Sequence, residues 1–145
     1  MKTILSLFIA LIIQFNLNAQ NVSTFAGSGI VGNADGNGNS ASFNFPQGIG
    51  IDAVGNIFVA DTTNSTIRKI TPTGTVSTIA GTVGVSGSWE GQGTAAAFNG
   101  PIAIAVDAAG NLYVADLFNH KIRKISPTGL VSTFSGAGGT GNIDG

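Results

Sequence analysis

Almost every ionisable side chain that could do chemistry in this chain occurs twice, at an offset of 55 residues. Arg68 recurs as Arg123 and Lys69 recurs as Lys124, which leaves Lys121 as the one basic residue after position 19 without a counterpart. The acidic residues also fall on repeated positions, and they are Asp35, Asp52, Asp61, Glu90, Asp107, Asp116 and Asp144. A residue that every copy contains is expected to support the fold of each copy, because a reaction would need its catalytic residues only once per molecule. We therefore predict a structural role for the repeated charges.

Asp61 follows an apolar run and precedes a polar turn. Asx side chains often bond to nearby main chain, so we expect Asp61 to accept hydrogen bonds from the backbone of the turn that follows, with help from Asn64. An ion pair to Arg68 on the next strand is the alternative, because opposite charges on paired strands lie close together. The same structural prediction covers the residues of the second copy, which are Asp116, Asn119 and Arg123.

His120 is the only histidine, and there is no cysteine. Zinc sites gather several His, Cys or acidic ligands, and a general base needs an orienting partner. His120 lies in a turn where the first copy has Ser65. We predict a hydrogen-bonded turn histidine, no metal site and no catalytic residue in this segment.

The string DGNGNS, which starts at Asp35, resembles the opening of a calcium loop, where oxygen ligands alternate along the chain. The likeness then fails, because the sixth position is Ser40 and the twelfth is Pro46, where such loops have Gly and a bidentate Glu. We therefore expect that these polar residues are incidental to a loop and that the segment binds no cofactor. Calcium binding is the alternative.

Two glycine-rich links precede the repeat units, at residues 27–42 and 81–97. The second link contains Trp89, the only tryptophan, followed by Glu90, and the first has Ala34 in the tryptophan's place. Trp89 and Glu90 are the candidate binding residues, since loops of this length are often functional and exposed tryptophan anchors many interfaces. A tryptophan that only caps the edge of the sheet is the alternative.

Residues 43–81 and 98–136 are two copies of one unit, identical at 23 of 39 positions, and partial units occupy residues 22–42 and 137–145. Each copy predicts four short strands separated by glycine and proline turns, which gives an antiparallel meander. The runs IFVA and LYVA are apolar at consecutive positions, which indicates sheets that are covered on both faces. The sequence therefore predicts an all-β chain of β-propeller blades, with a β-solenoid as the rival.

Residues 1–19 differ from the repeats. Lys2 precedes an apolar run from Ile4 to Ile13, and a small residue, Ala19, offers a cleavage point. This pattern predicts a signal peptide, with the propeller segment at residues 20–145 and no membrane insertion after its removal. Together with the absence of cysteine, it favours a bacterial envelope or extracellular location.

Net charge argues against nucleic acid as a partner. Removal of residues 1–19 takes away one of the 6 basic residues and none of the 7 acidic ones, so acidic residues are in excess. No basic cluster occurs beyond the paired IRK strands.

The motif VADxxNHKIRKISPTGxVSTFSG, preceded by FNGPxAIAVDAAGNLYV, resembles the NHL-repeat family over both units. That resemblance implies a six-bladed propeller, of which this chain supplies two complete blades. The first copy departs from the motif at Ser65, where the second has the family's His120.

Two blades alone would leave edges and apolar faces open, because repeat arrays need at least about three units for stability. We expect further blades, from a longer chain or from an oligomeric ring. Residues 22–26 match the last strand of a unit, and we predict that they form the outer strand of a final blade.

The sequence predicts a secreted binding scaffold whose loops between blades bind a protein, a glycan or a small ligand. The alternative implied by the resemblance is a propeller enzyme, similar to lyases or lactonases, with its site largely in other blades. This segment would offer that enzyme only Asp52, Asp107 and His120. A passive spacer within a large surface protein is a third possibility.

Overall fold

The structure, a computed structural model, describes residues 20–141. Two antiparallel five-stranded sheets make up this part of the chain. The predicted signal peptide at residues 1–19 and Asp144 in the last partial unit lie outside the described residues. Among residues 20–141, no helix has the length and apolar character needed to cross a membrane.

The two sheets have the same strand order. Sheet 1 contains β1 (Gly36–Asn37), β2 (Pro46–Ile51), β3 (Ile57–Asp61), β4 (Thr66–Ile70) and β5 (Thr75–Ala80), in the spatial order β1-β5-β4-β3-β2. Sheet 2 contains β6 (Gly91–Gln92), β7 (Pro101–Val106), β8 (Leu112–Asp116), β9 (Lys121–Ile125) and β10 (Leu130–Ser135), in the order β6-β10-β9-β8-β7. The predicted four-stranded meander is confirmed in both copies.

Each sheet also has a fifth, outermost strand that the sequence pattern did not indicate. In sheet 1 it is a two-residue strand of the link, and it pairs with β5 through Gly36 opposite Val76. The chain therefore touches the outer edge of a sheet before it crosses to the innermost strand. A strand of Gly and Asn has no alternation of apolar side chains, so it leaves no periodic signal.

The main core lies between the two sheets. Phe58 and Ile67 of sheet 1 are buried in one cluster with Val114 and Ile125 of sheet 2 and with Phe98, which precedes β7. Consecutive apolar residues are needed here because each strand points alternate side chains to opposite faces and both faces are packed. Stacked meanders with this packing are the arrangement that the sequence predicted.

The innermost strands, β2 and β7, approach each other closely. A Cβ atom at Gly48 would lie 2.5 Å from the Cα of Ala103, and one at Gly50 would lie 3.0 Å from the Cγ2 of Val106. A side chain at Gly48 would therefore force the backbones apart. The glycines of β2 allow the two sheets to converge at their inner edges.

Residues 22–26 form no strand in the structure. They lie against sheet 1 in the place that the end of β5 occupies against sheet 2. The backbone N–H of Gly27 donates to the carbonyl of Gly38 (3.0 Å), as the N–H of Gly81 donates to that of Gly93 (3.2 Å). Their predicted pairing with a final blade stays a prediction.

Candidate functional site

A buried carboxylate organises the end of β3 in sheet 1. The Oδ2 atom of Asp61 accepts hydrogen bonds from Arg68 Nη1 and from Asn64 Nδ2, both at 2.8 Å. Its Oδ1 atom accepts from the backbone N–H of Asn44 at 2.7 Å. The expected backbone donor in the following turn was therefore wrong, because the link passes back over the sheet and brings Asn44 closer.

Sheet 2 repeats this geometry. Asp116 Oδ2 accepts from Arg123 Nη1 at 3.1 Å and from Asn119 Nδ2 at 2.7 Å. Asp116 Oδ1 accepts from the backbone N–H of Asn99 at 2.7 Å. Both carboxylates and both arginines are buried, so each ion pair exists out of contact with water.

The arginines also fasten the links to the sheets. Arg68 Nη2 donates to the carbonyl of Ala34 (2.8 Å), and Arg123 Nη2 donates to that of Trp89 (3.1 Å). Each guanidinium also lies over an aromatic ring, with Arg68 5.0 Å from the centroid of Phe43. The repeated charges are thus part of the framework that holds each link in place.

Asp35 and Glu90 occupy matching positions, and each accepts a hydrogen bond from the matching threonine. Asp35 Oδ1 accepts from Thr78 Oγ1 at 3.1 Å and Glu90 Oε1 accepts from the backbone N–H of Thr133 at 2.7 Å, but only Asp35 also accepts from an arginine, Arg68 Nη2 at 2.8 Å. Partial burial acts to raise the pKa of Asp35, but hydrogen bonds from Thr78 and Arg68 outweigh it and lower that pKa. The hydrogen bond from Thr133 lowers the pKa of Glu90.

Asp35 was the first residue of the calcium-like string, and here its carboxylate is bound by an arginine. Within residues 20–141, no three His, Cys, Asp or Glu side chains are grouped as a metal site would need. Asp52 and Asp107 bind their own turns, with Asp52 Oδ2 accepting from Asn56 Nδ2 at 2.7 Å. The structure does not bring them near His120, which lies at the opposite end of the sheet.

His120 has left-handed backbone geometry, with φ of 54°, and Ser65 has φ of 56° at the matching place. The His120 backbone N–H donates to the carbonyl of Leu117 at 3.1 Å, which closes the turn. The hydrogen bond of the predicted turn histidine is thus made by its backbone.

Trp89 is exposed on the link, and its backbone is fixed. About half of the residue is accessible, at 51%. Its carbonyl accepts hydrogen bonds from Arg123 and from the N–H of Ala97, and its ring packs against the backbone of Gly87. The arrangement exposes the indole on a link whose backbone is held by hydrogen bonds.

Sequence reasoning missed two other exposed aromatic residues, Phe45 and Phe118. They are not at matching positions, since the counterpart of Phe45 is Gly100. The ring of Phe118 nevertheless lies directly over Gly100, because a Cβ there would be 2.6 Å from the Phe118 ring. Each sheet thus has an aromatic ring beside the start of its innermost strand.

These features define a class of protein. Two stacked antiparallel meanders, each with its innermost strand against its neighbour's, are blades of a β-propeller. The fold is shared with an auxiliary nutrient binding protein from Bacteroides thetaiotaomicron VPI-5482, at a TM-score of 0.64 and 26% identity over 77% of this chain and 28% of that chain. A second auxiliary nutrient binding protein, from Bacteroides ovatus ATCC 8483, matches at a TM-score of 0.59 and 26% identity over 73% of this chain and 27% of that one.

Sequence comparison identifies the family. The NHL repeat model matches residues 43–70 and 98–125. The human NHL repeat-containing protein 2 is 33% identical over 82% of this chain and 18% of its own length. The chain belongs to the NHL-repeat family, and it spans under a fifth of that curated relative.

Proposed function

We propose that this chain is part of a secreted β-propeller that binds a protein, a glycan or a small ligand through the links between its blades. The observation that carries the proposal is Trp89, an exposed aromatic side chain on a link whose backbone is held by Arg123. A tryptophan side chain supplies a large contact area at a low cost in conformational entropy, and such residues dominate binding energy. The two nutrient-binding proteins with this fold support the same interpretation.

Ligand binding can be followed by the fluorescence of Trp89, because it is the only tryptophan of the chain. Titration with defined probes, namely neutral oligosaccharides, free amino acids and short peptides, is expected to change its fluorescence saturably for one class. Calorimetry on Trp89→Ala should then show an affinity about tenfold lower or weaker still. The proposal fails if no probe changes the emission and calorimetry detects no heat of binding.

Secretion rests on residues 1–19, whose basic start, apolar run and small final residue form a signal peptide pattern. Expression of the full chain in a bacterial host should give a protein outside the cytoplasm. Its mass should be that of a chain that begins at Gln20 or a neighbouring residue. Recovery of the uncleaved chain in the cytoplasm would refute this part of the proposal.

We also propose that further blades cover the two open faces. Along the open face of sheet 1 runs a groove of about 550 Å³, lined in part by Val31, Phe43 and Pro46. At the matching place on sheet 2, a turn of sheet 1 is seated, and Thr62 Oγ1 donates to the carbonyl of Pro101 at 2.7 Å. The groove therefore has the features of a seat for the equivalent turn of a preceding blade.

A preceding blade of a longer chain would fit this groove better than a blade of a second copy would. Residues 22–27 already lie where the preceding blade would place its last strand, so β10 of a second copy would collide with them. A preceding blade that lacks its own last strand would have no such conflict. Size measurement of the full chain is expected to show no defined ring of copies, and a discrete ring-sized oligomer would contradict this.

A further inference from the structure

A cleft of about 340 Å³ lies between the two sheets, at the end opposite the turn that contains His120. Ligand pockets commonly have volumes of about 300–1,000 Å³, so this cleft suits a small ligand. Both of its walls belong to the described chain, and a further blade on either open face would leave them in place. Its lining includes Asp52, Phe58, Lys69 and Ile79 from sheet 1, with Leu112, Ile125 and the turn at residues 126–129 from sheet 2.

The matching positions of sheet 2 show how the fold can satisfy the same two charges by itself. Tyr113 donates its hydroxyl to Asp107 Oδ2 at 3.2 Å. The ammonium of Lys124 lies 5.9 Å from the centroid of the Tyr113 ring. The ring of Phe134 packs edge-on against that of Tyr113, with the centroids 5.0 Å apart. An aromatic pair therefore occupies this face of sheet 2 and contacts both charged groups.

Sheet 1 keeps the charges but lacks the aromatic pair. Phe58 stands where sheet 2 has Tyr113, and Ile79 stands where it has Phe134. Phe58 has no hydroxyl to donate to Asp52, and Ile79 adds no ring. These two replacements accompany a cleft whose wall carries both a carboxylate and an ammonium group.

Both charged groups can accept a ligand. Asp52 Oδ2 accepts one hydrogen bond, from Asn56 Nδ2 at 2.7 Å, and a carboxylate oxygen has about two acceptor sites. Hydrogen bonds from Asn56 lower the pKa of Asp52, so its carboxylate is charged at neutral pH. Within residues 20–141 the ion pairs are made by Arg68 and Arg123, which leaves the Lys69 ammonium without a carboxylate partner there.

The register of the strands sets the two charges on either side of the Phe58 ring. Phe58 of β3 pairs with Gly50 of β2 on one side and with Lys69 of β4 on the other. Asp52 lies two residues beyond Gly50, and residues two apart in a strand share a face. The cleft thus has a carboxylate near its inner side, an ammonium near its outer side and an aromatic ring between them.

We infer that this cleft binds a free α-amino acid with an apolar side chain. The ligand's ammonium group pairs with Asp52, its carboxylate pairs with Lys69, and its side chain packs on Phe58 and the apolar wall of sheet 2. An uncharged ligand would leave both protein charges without a partner, and a ligand of one charge would leave one. Buried charges need partners, so a zwitterion fits best. The site is separate from Trp89, and the inference therefore goes beyond the proposed function.

Calorimetry of the full chain with leucine and with phenylalanine tests the ligand class. Saturable binding is expected for both. Leucinamide lacks the carboxylate and N-acetylleucine lacks the ammonium group, so each should bind at least about tenfold more weakly than leucine. The inference is overturned if neither amino acid binds, or if either analogue binds as tightly as leucine.

Substitutions test the location. Lys69→Met keeps the length of the side chain but removes its charge, and it should weaken leucine binding about tenfold with little change in melting temperature. Lys124→Met is the matched control on sheet 2 and should bind leucine like the wild type. Ile79→Phe should also weaken binding, because it adds the ring that fills this place in sheet 2. Equal affinities in Lys69→Met and Lys124→Met would overturn the inference.

Trp89→Ala separates this site from the links. It should leave leucine binding unchanged, since Trp89 does not line the cleft. If Trp89→Ala weakens leucine binding and Lys69→Met does not, the amino acid binds at the links, so the present inference falls and the proposed function stands.

Discussion

The two sheets share one sequence pattern but differ in what covers them. Ile104 of sheet 2 is 9% exposed because it packs on sheet 1, while its counterpart in sheet 1, Ile49, is 69% exposed. On the other face the relation reverses, since Ile67 is fully buried and Ile122 is 38% exposed. The side chains of each unit are thus suited to two neighbours, and each sheet here has one.

The charged networks differ as well. Arg68 contacts two carboxylates, Asp61 and Asp35, whereas Arg123 contacts Asp116 alone within the described chain. The shared part, an arginine on the carboxylate at the end of the second long strand, belongs to the blade itself. The additional contact belongs to the link, which varies between copies.

Loss of Asp116, the one carboxylate that pairs with Arg123 within the described residues, should have the largest effect on stability. Asp116→Ala leaves Arg123 buried without a charge partner, and we expect a loss of about 3–5 kcal/mol in the free energy of unfolding. Asp61→Ala should cost less, about 1–3 kcal/mol, because Arg68 keeps Asp35. Urea denaturation measures both, and equal losses would show that the extra contact of Arg68 contributes nothing.

Substitution of the buried Ile104, compared with the exposed Ile49, should have the next largest effect on stability. Ile104→Ala should cost about 2–5 kcal/mol because it leaves a cavity between the sheets. Ile49→Ala should change stability by no more than about 0.5 kcal/mol, since its side chain is open to solvent. A similar loss for both substitutions would mean that the face of Ile49 is also covered in solution.

The close approach of the inner strands can be tested with one methyl group. Gly48→Ala should cost about 1–3 kcal/mol, because the new Cβ would overlap the backbone of β7. Gly139→Ala is the control, since nothing lies within 4 Å of the new atom. Thermal unfolding that is unchanged in Gly48→Ala would place the strands further apart than described.

The acid-dependent contributions of Asp35 and Glu90 to stability should be the smallest effect. The pKa values of Asp35 and Glu90 lie below their ordinary values of 3.8 and 4.5, so ionisation of these groups favours the folded state. Their contribution is complete above those ordinary values and is lost as the pH falls through the lowered ones. Asp35→Asn and Glu90→Gln should each flatten the fall of stability measured between about pH 5 and pH 2, and unchanged profiles would argue against both contacts.

The long strands and their turns could be predicted from sequence because glycine, proline and apolar runs mark them in both copies. β1 and β6 could not, since two residues of glycine and a polar partner carry no periodicity. The backbone donor to Asp61 was predicted wrongly for a similar reason. The path of the chain that brings Asn44 to Asp61 depends on tertiary structure.

The exposed rings of Phe45 and Phe118 were missed because alignment sets Phe45 opposite Gly100 and Phe118 opposite Thr63. Repeat analysis gives weight to positions that match, and these two do not. Only the structure shows that the Phe118 ring lies against Gly100. Trp89, in contrast, could be singled out as a unique residue on a link.

The stacking of the two copies is the claim on which the rest depends, and NMR of the full chain tests it most directly. Nuclear Overhauser contacts between the α protons of Gly50 and the Cγ2 methyl of Ile104 would join β2 to β7. We predict these contacts together with those within each sheet. Contacts within the sheets but none between β2 and β7 would contradict the stacking.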